Sequence, residues 1–288
     1  MLFRSEGILE SELGRQGAEL AAVNAQFDPN KQVSDIQTLI QQDVDALIVY
    51  PVSPEAVQGV LKEAQDKGIP VIVEDTKFGG PYTTNVTADV ETAASEGAKL
   101  MKELVGDKEV GVIVGPPFTE FLKRSGDTFE KVAKEEGLNI VDTKTNTAVD
   151  PDGAKTIADA WKQQYPDMAG IWTFNDNSAV GVASTFDDDW APTVVSINGQ
   201  PNVMPLIEEG VVNTTYDLRQ DMAARALAFA STSAICGEEL PEDIWFESRA
   251  VNEENVGDWV DPTERGKEEV EVELVEKDGR WVLTETGN

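Results

Sequence analysis

Two rhythms alternate through residues 29–75. Val33, Ile36, Leu39 and Ile40 recur at helical spacing, whereas 46–50 is a short unbroken apolar run of the kind a parallel sheet buries on both faces. Ser53-Pro54 supplies a side-chain cap and then proline at the first helical position, which predicts a helix ending at Gly68. Residues 70–73 form the next buried strand. A strand, a crossover helix and a second strand make a right-handed parallel unit. Such units take ligands beyond the carboxyl ends of their strands, and here those ends carry Tyr50, Glu74 and Asp75.

The same signals predict helices over 6–15, 89–105, 120–136, 203–209 and 220–235, with others opening at Asp150-Pro151 and Asn175-Asp176. Strands are expected at 19–26, 83–86, 110–114, 139–143, 169–174, 193–197 and 211–216. A hairpin over 269–276 and 280–285 turns at Asp278-Gly279. The order helix, turn, buried strand, polar corner, helix at 35–57 is echoed at 156–180, and 68–77 is echoed at 191–200. Two like α/β units in the same order predict two doubly wound parallel-sheet lobes whose ligand-facing corners oppose each other.

The formal charge of -31 over 288 residues changes the list of partners. It argues against nucleic acid, because binding it needs Lys and Arg to displace counterions from phosphates, and equally against anionic membrane surfaces. Solubility through self-repulsion and adaptation to a salty exterior both remain open as reasons for the charge. With no histidine, the usual general base and the commonest zinc ligand are missing. Cys236 stands alone in an Ala/Ser-rich helical stretch and reads as a small core residue. No run approaches the ~20 apolar residues of a membrane span, and no signal-peptide core is visible. Asp187-Asp188-Asp189 lacks calcium-loop spacing, so neither a metal nor another cofactor is expected. Glu74 and Asp75 are adjacent on a strand and point to opposite sides, which disfavours a glycosidase pair.

The predicted strand ends collect Tyr50, Glu74, Asp75, Pro116, Asn175, Asp176, Asn198 and Asp217. Planar carboxylates and amides suit the vicinal hydroxyls of a sugar or polyol. Lys123 and Arg124 add donors, and Phe118, Phe121 and Phe174 are available to cover an apolar sugar face. For Asn175, Asp176 and Asp217 the alternative is a plain helix cap.

In this order and spacing, DPNKQVSDIQTLIQQDVDALIVYPVSPEAV, GIPVIVEDTK, WTFNDNSAVG and VVSINGQPN resemble the ribose-binding-like solute-binding proteins of sugar ABC transporters, from about residue 8 to about residue 255. The resemblance implies a type I periplasmic binding protein fold, with two α/β lobes joined by three crossing strands and closing on a sugar by hinge motion. One lobe is expected to comprise 1–88 and 218–246, the other 89–217 and 247–288 with the acidic tail. It implies a monomeric binding protein rather than an enzyme, periplasmic or anchored at the cell surface, that delivers a small sugar or polyol to a membrane permease. Asp75 falls on the aspartate of the family's Asp-Arg pair and Asn175 on its ligand asparagine. Asp217 falls near a polar ligand residue at the crossing, and Lys123 or Arg124 near an arginine. Thr76, Asn198, Val149 and Tyr50 depart from the family pattern and argue against a plain pentose as ligand.

An effector domain of the same fold, without a DNA-binding module, is the second reading. A sugar-processing enzyme is the third, disfavoured by the missing histidine and the lack of a separated carboxylate pair. Family members begin with a strand inside the sheet, which residues 1–5 do not supply. Losing it forfeits on the order of 10 kcal/mol of burial, rivalling the ~5–15 kcal/mol of a whole domain. An N-terminally shortened chain, its signal peptide lost, is therefore expected.

Overall fold

The computed structural model describes residues 2–76, 78–116 and 120–286. In chain order the first elements are α1 (Leu2–Arg15), α2 (Pro29–Gln41), β1 (Leu47–Val49), α3 (Pro54–Asp66), β2 (Val71–Glu74) and β3 (Thr84–Ala88). Next come α4 (Val90–Val105), β4 (Glu109–Val114), α5 (Glu120–Glu135), β5 (Asn139–Thr145), α6 (Pro151–Gln164), β6 (Gly170–Thr173) and α7 (Asp176–Ala183). They are followed by β7 (Thr193–Asn198), α8 (Met204–Glu208), β8 (Thr214–Asp217), α9 (Gln220–Ile235), β9 (Asp243–Phe246) and β10 (Arg249–Asn252). The chain closes with α10 (Pro262–Arg265), β11 (Val272–Lys277) and β12 (Arg280–Glu285). These elements form two compact units, 1–88 with 220–247 and 262–288, and 89–219 with 248–261.

The first unit holds a six-stranded sheet in the order β1-β2-β3-β9-β12-β11, parallel except for the β11/β12 hairpin. Its helices start where side chains satisfy the free N–H groups of the first turn. Asp28 accepts from the amides of Asn30 and Lys31, and Ser53 accepts from that of Ala56. Ile36 and Ile40 of α2 then pack with Val57, Val60 and Leu61 of α3 and with Leu47, Val49, Val71 and Val73. The alanine-rich α9 is buried on most of its surface, because alanine lets neighbouring backbone approach from several sides.

The second unit holds a six-stranded sheet in the order β10-β8-β7-β6-β4-β5, parallel except for β10. Trp172 on β6 stacks on Phe129 of α5, centroids 4.3 Å apart, and both are fully buried. The echo seen in the sequence is an echo in space. Helix, strand, helix recurs as α2-β1-α3 and α6-β6-α7, and each central strand pairs in parallel with the next, β1 with β2 and β6 with β7.

Several expectations are corrected. Residues 19–26 form no strand, and Val23 is 57% exposed. A strand needs a hydrogen-bonding neighbour, and β1 at the sheet edge pairs only with β2. Over 211–216 the strand begins only at Thr214, since the amides of Val211 and Val212 bond back to the Leu206 carbonyl and close a turn after α8. Two short strands, β9 and β10, add to the expected set. Cys236 is exposed, because α9 ends one residue before it. The tail belongs to the first unit rather than the second: β12 pairs in parallel with β9 through Trp281–Ile244 and Val282–Trp245. The chain therefore passes between the units at a fourth point, 261–262, beyond the three that the resemblance implies.

Candidate functional site

In the first unit, Tyr50 directly follows β1 and Asp75 directly follows β2, and the two strands are hydrogen-bonded neighbours with Val49 opposite Val73. Asp75 has a left-handed backbone, φ 53°, which turns the chain out of the sheet. Its Oδ1 accepts from Thr87 Oγ1 at 3.2 Å and from the Ala88 amide at 3.3 Å, so the carboxylate is anchored to the end of β3. Tyr50 is half-buried, and its carbonyl accepts from Gln32 Nε2 at 2.8 Å.

Glu74, beside Asp75, is buried, and that burial, followed by the charge of Asp75, pushes its carboxyl up to about 8 from 4.5. Between those values the folded protein holds a proton that the unfolded chain has released. The stability this contributes is complete below about 4.5 and is lost as pH rises toward 8. Glu74→Gln is therefore expected to raise the unfolding free energy at pH 8 by on the order of a few kcal/mol and to change it little at pH 4. Urea titrations at the two pH values check this; equal effects at both would contradict it.

In the second unit, three adjoining parallel strands end in amides or carboxylates. Asn175 follows β6 by two residues, Asn198 closes β7 and Asp217 closes β8, with Asn198 directly opposite Asp217. Asn175 caps α7, its Oδ1 accepting from the Ser178 amide at 2.8 Å. Asp217 is fully buried. Its Oδ1 accepts from the Arg219 amide at 2.8 Å and its Oδ2 from Trp259 Nε1 at 3.1 Å. Gly199, at φ 68°, lets the chain turn tightly beside Asp217, where a Cβ would lie 2.5 Å from the Asp217 Cα.

Phe174, between β6 and Asn175, is buried, its ring lying where a side chain at Gly115 would stand. Phe121 is buried too, and Phe118 lies outside the described residues. Arg124 donates from Nη1 to Glu91 Oε1 at 2.8 Å, linking α5 to α4. Lys123 is ion-paired with Asp127 one turn along its own helix and is half exposed.

The second unit thus gathers Phe174, Asn175, Asn198 and Asp217 at one sheet edge, and the first unit gathers Tyr50 and Asp75. Lys123 and Arg124 lie on a helix and pair with acidic neighbours. One residue at the second edge, Trp259, lies outside the predicted set. It comes from the 248–261 excursion, far from β8 in sequence. Asp176, expected at a strand end either as a ligand group or as a helix cap, is not the cap, which is Asn175. Asp176 is fully buried and accepts hydrogen bonds from Ser196, Thr215 and Gln200. Burial pushes its carboxyl up to about 7 against the pull of those donors, and the charge of Asp217 adds to the rise. Among the described residues no group of His, Cys, Asp and Glu is arranged to hold a metal ion, and no helix is long and apolar enough to cross a membrane.

The sequence profile described as "Periplasmic binding protein domain" matches residues 8–239. The chain belongs to that family. This periplasmic binding protein domain is 24% identical over 239 residues to the ribose import binding protein of Bacillus subtilis, covering 82% of this chain and 78% of the relative. It is also 24% identical over 245 residues to a xylitol-binding protein of Mycolicibacterium smegmatis, covering 83% and 70%. Its fold is that of the periplasmic ribose ABC transporter protein of Conexibacter woesei, with a TM-score of 0.80, 19% identity and 89% of each chain covered. A solute-binding protein of Bacillus halodurans solved with bound myo-inositol has a TM-score of 0.78 and 20% identity, covering 89% of this chain and 93% of that one.

Proposed function

We propose that this periplasmic binding protein domain binds one small sugar or polyol and delivers it, outside the cytoplasmic membrane, to the permease of an ABC importer. One observation carries the reading: three adjoining parallel strands of the second unit, β6, β7 and β8, end in Asn175, Asn198 and Asp217. Carboxyl ends of parallel strands are where such sheets take ligands, and amides and carboxylates match paired hydroxyls. Asp75 and Tyr50 of the first unit are assigned to the same task, and Lys123, Arg124 and Phe174 to its surroundings. The relatives described above are import and solute-binding proteins, which favours binding over turnover and disfavours an effector domain.

A thermal-shift screen against monosaccharides and polyols tests this. A binder raises the unfolding free energy by RT ln(1 + [L]/Kd), about 2.7 kcal/mol at a hundredfold excess over Kd. A panel in which nothing shifts the melt, and nothing binds by calorimetry, would sink the proposal. Asp75→Ala and Asn175→Ala are expected to abolish the shift. Asn175→Ala also lowers the unliganded melt, since losing the α7 cap costs about 1 kcal/mol. A full ligand response in both variants refutes the assignment of these two residues.

A further inference from the structure

Asn175, Asn198 and Asp217 sit on three separate strand ends, yet one side chain reaches all three. Asp176 directly follows Asn175 and opens α7. Its Oδ1 accepts from Ser196 Oγ at 2.5 Å and from Thr215 Oγ1 at 2.6 Å, and its Oδ2 accepts from the Gln200 amide at 2.6 Å. Ser196 and Thr215 are register partners across β7 and β8, and two residues further on so are Asn198 and Asp217. Side chains two apart on a strand share a face. Each hydroxyl therefore grips its strand two residues before the polar residue at its end. Gln200 holds the chain two residues beyond Asn198.

The direction of the bonds is set as well. Thr215 Oγ1 accepts from the Gly199 amide at 3.3 Å and donates its own proton to Asp176. Three donors converge on the carboxylate, so an amide in its place would turn an NH2 group toward one of them. With Asp176 0% exposed, no solvent replaces a lost partner.

We propose that Asp176 is a positioning residue for the ligand: its carboxyl group ties the ends of β6, β7 and β8 at one spacing and thereby sets where Asn175, Asn198 and Asp217 present their polar groups. This rests on the sugar-site reading above. Asp176 itself is sealed from the ligand and acts through its neighbours.

The test uses the full chain with Thr215→Val, Thr215→Ser and Asp176→Asn. Affinity for the tightest binder of the sugar and polyol panel is measured by calorimetry, and amide hydrogen exchange is followed at Asn198, Gly199 and Gln200. Thr215→Val, which keeps the shape and loses the hydroxyl, is expected to weaken binding about tenfold or more and to speed exchange at Gly199 and Gln200. Thr215→Ser restores both, which a role in packing alone would not do. Asp176→Asn weakens binding further; if it fails to fold, the Thr215 pair decides. Thr215→Val binding within about twofold of the parent with unchanged exchange overturns the proposal, and so does Thr215→Ser behaving like Thr215→Val. If the parent binds nothing in the panel, the sugar reading falls and exchange alone judges the brace. Faster exchange confined to these strand ends in Thr215→Val sustains it, and equal exchange refutes it.

Discussion

Arg225→Ala is expected to lower the unfolding free energy by about 3–5 kcal/mol, the usual cost of taking one partner out of a buried ionic network. Arg225 is 3% exposed in the middle of α9 and spends its guanidinium on four acceptors. Nε donates to Glu12 Oε1 at 3.2 Å, Nη1 to Asp221 Oδ2 at 3.3 Å, and Nη2 to the carbonyls of Arg265 at 3.0 Å and Glu268 at 2.9 Å. Arg15 adds a 2.8 Å bond to Glu12 Oε1 and a 3.0 Å bond to the Lys267 carbonyl, and Arg265 pairs with Asp221 Oδ1 at 3.4 Å.

The network fastens α1, α9 and the segment 262–268 together. Removing Arg225 takes from Glu12 and Asp221, which are 7% and 0% exposed, one of the two arginines that hold each of them, and takes a donor from two carbonyls. Guanidinium chloride titrations of parent and variant measure the loss, and a change under about 1 kcal/mol would show that the network is dispensable. Arg225→Met combined with Glu12→Gln and Asp221→Asn is expected to recover part of it, because the penalty lies in the excess negative charge left buried more than in the missing bonds.

Gly199→Ala is expected to damage stability and ligand binding together. The position has φ 68°, and an added Cβ would stand 2.4 Å from the Asp217 Cβ and 2.5 Å from its Cα. Backbone cannot yield as a flexible side-chain tip does. The left-handed conformation and the overlap together cost on the order of 3 kcal/mol. Relief comes from separating β7 from β8 at the point where Asn198 faces Asp217. We therefore expect at least about a tenfold loss of sugar or polyol affinity. Calorimetry beside a thermal melt checks both parts. Normal affinity in a folded Gly199→Ala protein would show that the Asn198–Asp217 spacing does not govern the site.

The elements that could be read from residues alone were those whose cause is local. Asp28-Pro29, Ser53-Pro54 and Asp150-Pro151 each become a capped helix start, because the cap and the proline act within one turn. The buried runs at 46–50 and 169–174 become parallel strands, since burial on both faces leaves an unbroken apolar signature. The polar residues at strand ends were legible for the same reason: a strand that stops on Asn or Asp has the same ending in sequence and in space.

What stayed hidden depends on partners distant in the chain. Residues 19–26 have a strand's composition but no neighbour to pair with. The 272–285 hairpin forms locally, yet its place beside β9 follows from pairing and from the Arg225 network, neither of which the tail itself encodes. In Asn175-Asp176 the order of letters does not reveal which side chain is the cap and which the cross-strand brace. That division appears only once β7 and β8 bring Ser196 and Thr215 alongside. Helix starts, buried strands and polar strand ends were thus written in the chain. The home of the tail, the pairing of buried charges and the bracing of the site came only with the packed structure, because each is a contact between residues that nothing in their own neighbourhood brings together.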